Sequence, residues 1–263
     1  MAEAIAKDGV RISYDDRGQG EPALLFLPAW CMSRAGFAQV PEYCANNRRV
    51  LTLDWRGHGA SETPKNDFGA ADLVEDALAV VNASGAQQVI PVSLSHGGRV
   101  ALDVRRRLGE RVPKIVVIDW LLLDPPPEYV DLVKGLDMPD KWEQTRDILF
   151  SIWLTGVDNQ DVIRFVREEM GSYGADMWMR SGREIGGGYA KAGSPLNELA
   201  TLNPPVPVLH IYAQPDDPGY LAAQQSFATD HPWFHVHKLQ ARGHFPTFEV
   251  PGPIAAAIES FVA

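Results

Sequence analysis

The sequence predicts an α/β fold: a mostly parallel central sheet flanked by helices, interrupted by a helical cap insertion. Three observations predict it. Short β-rich apolar runs alternate with helix-length segments along most of the chain. The runs are close to continuously apolar, as strands covered on both faces must be. One long stretch in the second half carries helical spacing and no strand-like run at all. At 263 residues, 45% apolar and 22% charged, the chain can bury one α/β core with a modest insertion, so one globular unit is expected.

The elements follow in order. IAKDGVRISYDDRG alternates polar and apolar residues around Asp8-Gly9, the pattern of an antiparallel edge hairpin. The parallel strands are expected at Ala23 to Pro28, Arg49 to Trp55, Gln88 to Leu94, Lys114 to Trp120, Val206 to Ala213 and Phe234 to Ala241. Helices are expected at Ala70 to Ala83, Gly97 to Leu108, Tyr220 to Asp230 and Gly252 to Val262. The insertion opens at Pro125-Pro126-Pro127 and closes at Asn203-Pro204-Pro205. It divides the core into 1–124 and 205–263, with 125–204 expected as a helical cap. Such a segment can merely cover a sheet, but insertions at the C-terminal edge of strands commonly roof an active site, and that reading is preferred.

Composition excludes several classes. A formal net charge of -10, with no basic run longer than Arg105 to Arg107, argues against a phosphate-tracking surface, so no nucleic acid partner is expected. Two cysteines, Cys31 and Cys44, form neither a disulfide framework nor a CxxC site, which fits a reducing, cytoplasmic setting. The N-terminus lacks an apolar leader core and no run of about 18 apolar residues occurs, so neither export nor membrane spanning is signalled. A monomer is expected.

VSLSHGGRV has the parts of a nucleophile elbow: VIPVSL as strand, Ser95 at the turn, Gly97-Gly98 where backbones approach closely, and RVALDVRRRL as helix. The first glycine of the usual Gly-x-Ser-x-Gly is Ser93 here. A serine at such a turn could instead cap the helix. LPAWCMS follows the first parallel strand, where α/β hydrolases place an oxyanion loop, so the backbone N–H groups of Trp30 and His96 are the candidate donors. The turn LDWRGHGAS is assigned to architecture, His58 included. His244, in ARGHFPTFEVP after the last strand, is the candidate base. HPWFHVH places His235 and His237 on one strand face without a cysteine or carboxylate cluster, so no metal is expected there. For the acid that orients His244, Asp119 at the end of VVIDW competes with Asp216 and Asp217 in AQPDDP. Asp119 is preferred, because a carboxylate among apolar flanks needs a partner, whereas Pro-Asp-Asp-Pro makes a good solvated turn; Asp217 stays open as the alternative.

With these residues in place, the chain resembles over its full length the cofactor-independent 3-hydroxy-4(1H)-quinolone 2,4-dioxygenases, an offshoot of the α/β-hydrolase fold. LPAWC, DWRGHG, SLSHGG, IDWLL and HFP carry the resemblance in the core; IWLTG, YGADMWMRSGR and HPWF carry it in the rest. The Ser-x-Ser-His-Gly-Gly elbow and the acid after the sixth strand are the more discriminating of these. The resemblance implies a small-molecule alkylquinolone substrate, O2 as co-substrate and no cofactor. It implies His244 as general base, Asp119 as its partner, Ser95 as a hydrogen-bonding guide rather than a nucleophile, and Trp153 as a cavity wall. Relatives acting on the 2-methyl substrate have a histidine shortly after the loop tryptophan, where this chain has Met32. Met32 with Leu149, Ile152, Trp153 and Met177 is therefore expected to line a slot for a longer 2-alkyl chain, such as that of the 2-heptyl Pseudomonas quinolone signal, although Met and aromatic residues at helical spacing also build ordinary core. Two readings compete: a serine esterase, lactonase or amidase on the same three residues, and a non-catalytic alkylquinolone receptor.

Overall fold

The hairpin that opens the chain turns at Gly9, where φ is +89°, and pairs β1 (Ala2–Ile5) antiparallel with β2 (Arg11–Arg17). The computed structural model describes all residues, 1–263. β2 joins the parallel sheet antiparallel to β4 (Val50–Leu53), which lies beside β3 (Ala23–Leu27). β5 (Val89–Leu94), β6 (Ile115–Ile118), β7 (Val208–Tyr212) and β8 (Phe234–Lys238) complete an eight-stranded sheet of order β1-β2-β4-β3-β5-β6-β7-β8. Every residue of β3 to β7 is buried, the condition for a parallel sheet covered on both faces.

Of the helices, α1 (Val40–Ala45) packs on α11 (Pro251–Val262), and α2 (Ala70–Ser84) on α3 (Gly97–Leu108). Between β6 and β7 the chain contains helices and no strand: α4 (Pro127–Leu136), α5 (Trp142–Trp153), α6 (Gln160–Arg164), α7 (Ala175–Ala192) and α8 (Pro195–Ala200). A π-helical turn at Phe165–Glu169 extends α6. α9 (Pro218–Asp230) and α10 (Pro246–Glu249) flank β8 in sequence.

The strands are shorter than the apolar runs suggest, at both ends. Pro28, Asp119 and Ala213 lie just past the last paired residue of their strands, where the backbone leaves the ladder for the turns of the site, and Arg49, Gln88, Lys114 and Val206-Pro207 precede the first. Short α1 and α10 have no sequence expectation, since helical periodicity needs a longer window to show itself.

Candidate active site

Five neighbouring parallel strands each deliver one part of the site from the same sheet edge. β3 leads into Ala29 and Trp30, β5 into Ser95, β6 into Asp119, β7 into Ala213 and Gln214, and β8 into the loop that ends at His244.

Ser95 sits at φ +48°, the left-handed backbone of a sharp strand-to-helix turn, which costs an ordinary residue about 1 kcal/mol or more. The turn holds because Ser95 N–H donates to Ile118 O at 2.8 Å and because Gly97 and Gly98 follow it. A Cβ on Gly97 would stand 2.6 Å from the carbonyl oxygens of Leu27 and Pro28, and one on Gly98 would stand 2.2 Å from the Trp120 ring. Ser93 fits in place of the usual first glycine because its buried hydroxyl donates to Val116 O at 3.3 Å.

Asp119 takes the same left-handed backbone, φ +48°, and is buried. Its Oδ1 accepts the N–H groups of Ala213 (2.7 Å) and Gln214 (3.1 Å), and its Oδ2 lies 2.7 Å from His244 Nδ1. Three N–H donors converging on one side chain match a carboxylate, which can only accept. The shared proton therefore sits on Nδ1, leaving the lone pair on His244 Nε2. The His244 loop is itself tied down by Glu249, which accepts from Arg242 N (3.1 Å) and Gly243 N (2.8 Å). Asp217 is not a partner of His244; it caps α9 by accepting Tyr220 N–H at 2.7 Å, while Asp216 pairs with Lys238.

Ser95, His96, Trp30, Asp119, His244 and Trp153 all line one cavity of about 1010 Å³. That is the upper end of the usual range for small-molecule sites. Leu149, Ile152, Trp178 and Ile185 of the helical segment add apolar wall. The N–H groups of Trp30 and His96 have no acceptor within the chain, the state required of oxyanion donors awaiting a ligand. Trp153 stacks on His244 with ring centroids 5.4 Å apart and planes 23° from parallel. The His96 ring is bonded through Nε2 to Tyr129 Oη at 2.7 Å; burial lowers its pKa to about 3, with Arg99 and His244 adding to the effect, so the ring is neutral.

Two expected wall residues lie elsewhere. Met32 is fully buried with its Sδ–Cε end over Gly36, next to Phe165, and Met177 packs its methyl near Gly57 and Phe68; neither lines the cavity. The loop after Trp30 turns back at Cys31, φ +57°, and this points the next side chain into the core instead of the slot. Tyr129, Glu249 and the Ala213 and Gln214 amides support the site without any signal in the sequence. Backbone donors and side chains that merely steady a loop have no residue-type signature. No group of three or more His, Cys, Asp or Glu side chains is arranged to hold a metal ion, at His235 and His237 or anywhere else.

Comparison with known proteins extends this picture. Residues 22–184 match the family model of the α/β hydrolase fold. The 2-heptyl-3-hydroxy-4-quinolone dioxygenase AqdC2 of Rhodococcus erythropolis is 35% identical, with 100% of this chain and 98% of that protein aligned. The 1H-3-hydroxy-4-oxoquinoline 2,4-dioxygenase of Pseudomonas putida is 36% identical over 99% of each chain. A solved structure of an AqdC variant in complex with its substrate, concerned with recognition and ring cleavage of the Pseudomonas quinolone signal, superposes with a TM-score of 0.94 at 32% identity, covering 99% of this chain and 98% of that one.

Proposed function

The chain belongs to the 3-hydroxy-4-quinolone 2,4-dioxygenases of the α/β-hydrolase fold, and from that premise we propose that it cleaves 2-alkyl-3-hydroxy-4(1H)-quinolones, the 2-heptyl signal molecule among them, without a cofactor. The observation that supports this reading is His244: its Nδ1 is held by Asp119, which leaves Nε2 free at a cavity also lined by Trp30 and His96, whose backbone N–H groups have no acceptor within the chain.

In this reading His244 Nε2 removes the acidic 3-hydroxyl proton, and Asp119 stabilises the imidazolium that results. The Trp30 and His96 N–H groups take the negative charge that spreads onto the 4-oxygen. Ser95 donates a hydrogen bond to the bound anion. The electron-rich ring then adds O2 at C2, and the distal peroxide oxygen closes on C4. The O–O, C2–C3 and C3–C4 bonds break; C3 leaves with its oxygen as carbon monoxide. One oxygen atom of O2 ends in the amide carbonyl at former C2 and the other in the carboxylate at former C4, giving an N-acylanthranilate. We read residues 125–204 as a cap whose apolar wall keeps water from the reactive anion and receives the alkyl chain. No helix is long and apolar enough to cross a membrane. We assign the reaction to a cytoplasmic monomer and its biological effect to the destruction of a quorum-sensing signal.

The strained elbow at Ser95 is the one feature that favours a serine hydrolase instead. Oxygen uptake separates the two. Purified protein in EDTA, given 2-heptyl-3-hydroxy-4(1H)-quinolone, should consume one O2 and release one carbon monoxide per substrate. Absence of uptake with this and the 2-methyl compound, together with turnover of an ester panel, would overturn the proposal.

A further inference from the structure

The loop carrying Trp30 is clasped by the turn that follows β4, whose sequence is DWRGHG. Trp55 Nε1 donates to Pro28 O at 2.8 Å, His58 Nε2 accepts Cys31 N–H at 3.1 Å, and Asp54 Oδ1 accepts Arg34 N–H at 2.7 Å. From the other side Glu169, at the end of the π-helical turn, accepts Ser33 N–H at 2.8 Å. Among these contacts the one from His58 falls on the residue next to Trp30. It is also where the loop most needs support, since Cys31 stands at φ +57° and carries a side chain that disfavours this backbone.

The neighbours of His58 leave its ring one protonation state. Arg56 O, 2.9 Å from Nδ1, can only accept, so Nδ1 carries the proton; Cys31 N can only donate, so Nε2 carries the lone pair. Burial lowers the pKa of the ring to about 4, with Arg180 adding to the effect, so this state persists at neutral pH. Tyr173, from the helical segment, closes the remaining face at a ring-centroid distance of 5.0 Å.

We propose that His58 is a positioning residue for the oxyanion hole: by fixing the peptide unit that follows Trp30, it limits rotation of the Trp30 backbone and so restrains the preceding peptide, whose Trp30 N–H would take the charge that develops at the substrate's 4-oxygen. His58 does not touch the substrate, being absent from the cavity wall. The turn assigned to architecture from its sequence thereby acts on the chemistry through one hydrogen bond. This inference rests on the dioxygenase reading of the site.

Two amide variants separate positioning from packing. In His58→Gln, Oε1 reaches the place of Nε2 and keeps the Cys31 contact. In His58→Asn, the shorter amide reaches only the place of Nδ1 and keeps the Arg56 contact. The readouts are kcat by oxygen uptake and, under anaerobic conditions, the pH at which bound substrate converts to its absorbing anion. Loss of folded protein alone would not move the second. The Gln variant should stay within about threefold of wild-type kcat, and the Asn variant should lose about tenfold or more and ionise its bound substrate at higher pH, because a misaligned donor forfeits part of the oxyanion stabilisation. Equal kcat in the two variants, or an unshifted ionisation in the Asn variant, would overturn the proposal. Should the Asn variant not fold, His58→Leu, which loses the Cys31 contact, takes its place beside the Gln variant: a loss of kcat of about tenfold or more in the Leu variant alone supports the role, and equal kcat in the two contradicts it. A wild-type protein that consumes no oxygen would instead refute the dioxygenase reading, before any variant is compared.

Discussion

His244 Nδ1 lies 2.7 Å from Asp119 Oδ2, across 125 residues of chain, whereas the carboxylate of Asp217 is committed to the first turn of α9. Asp119→Ala should therefore lower kcat by about a hundredfold or more, as loss of the orienting acid does in hydrolytic triads. Asp217→Ala should cost about 1 kcal/mol of stability as a lost helix cap and leave kcat within a few-fold. Steady-state oxygen uptake and urea unfolding of both variants check the pair; the reverse ordering of kcat would move the dyad to Asp217.

Trp153 and Leu149 line the cavity and Met32 does not. Met32→Leu, a volume-conserving change in the core, should cost less than about 1.5 kcal/mol and leave the preference among 2-alkyl chain lengths unchanged. Trp153→Ala should raise KM and broaden that preference, since it removes the ring stacked on His244. A shifted chain-length profile in Met32→Leu would return Met32 to the wall.

Arg56 is fully buried and pairs with Asp76 (2.7 Å), which is also fully buried, and with Asp8 (2.7 Å). These contacts tie the DWRGHG turn to α2 and to the turn of the opening hairpin. Arg56→Met leaves the Asp76 carboxylate buried without its partner and should destabilise the fold by about 3–5 kcal/mol. Urea unfolding measures it; Arg56→Met with Asp76→Leu should recover much of the loss. A single variant as stable as wild type would contradict the account of this network.

Three buried histidines make stability depend on pH. Burial lowers His58 to about 4, His96 to about 3 and His210 to about 4. An unfolded histidine titrates near 6.5, so between about pH 4 and 6.5 the unfolded chain binds more protons and stability rises with pH. Each group should contribute roughly 1 kcal/mol per pH unit as the pH falls below 6.5, and none should contribute above about pH 7. Urea midpoints at pH 7.5, 6 and 5 test this. A flat profile across that window would show that the three rings protonate without resistance.

Much of this was legible in the sequence, because the features concerned are local. The elbow shows as a strand, a serine, two glycines and an amphipathic helix within 20 residues. The order of apolar runs gives the strands, and the position of His244 after the last of them brings it to the cavity beside Asp119. Asp119 was separable from Asp217 only by weighing burial against turn chemistry, and the three N–H groups that converge on it come from residues far away in sequence. The core position of Met32 has no sequence signal, because nothing in LPAWCMS announces the left-handed backbone at Cys31 that precedes it. The contact of His58 with the Trp30 loop is hidden for a related reason: its bond to Cys31 joins two loops that follow different strands, and no spacing rule connects them.

The central claim is that His244 does the proton chemistry and Ser95 only guides the substrate. The direct test compares kcat for oxygen uptake on 2-heptyl-3-hydroxy-4(1H)-quinolone in Ser95→Ala and His244→Ala. Losing one hydrogen bond to an anion should cost Ser95→Ala about ten- to a hundredfold, while losing the base should cost His244→Ala about a thousandfold or more. If Ser95→Ala proved as inactive as His244→Ala, the serine would be acting as a nucleophile and the account would be wrong.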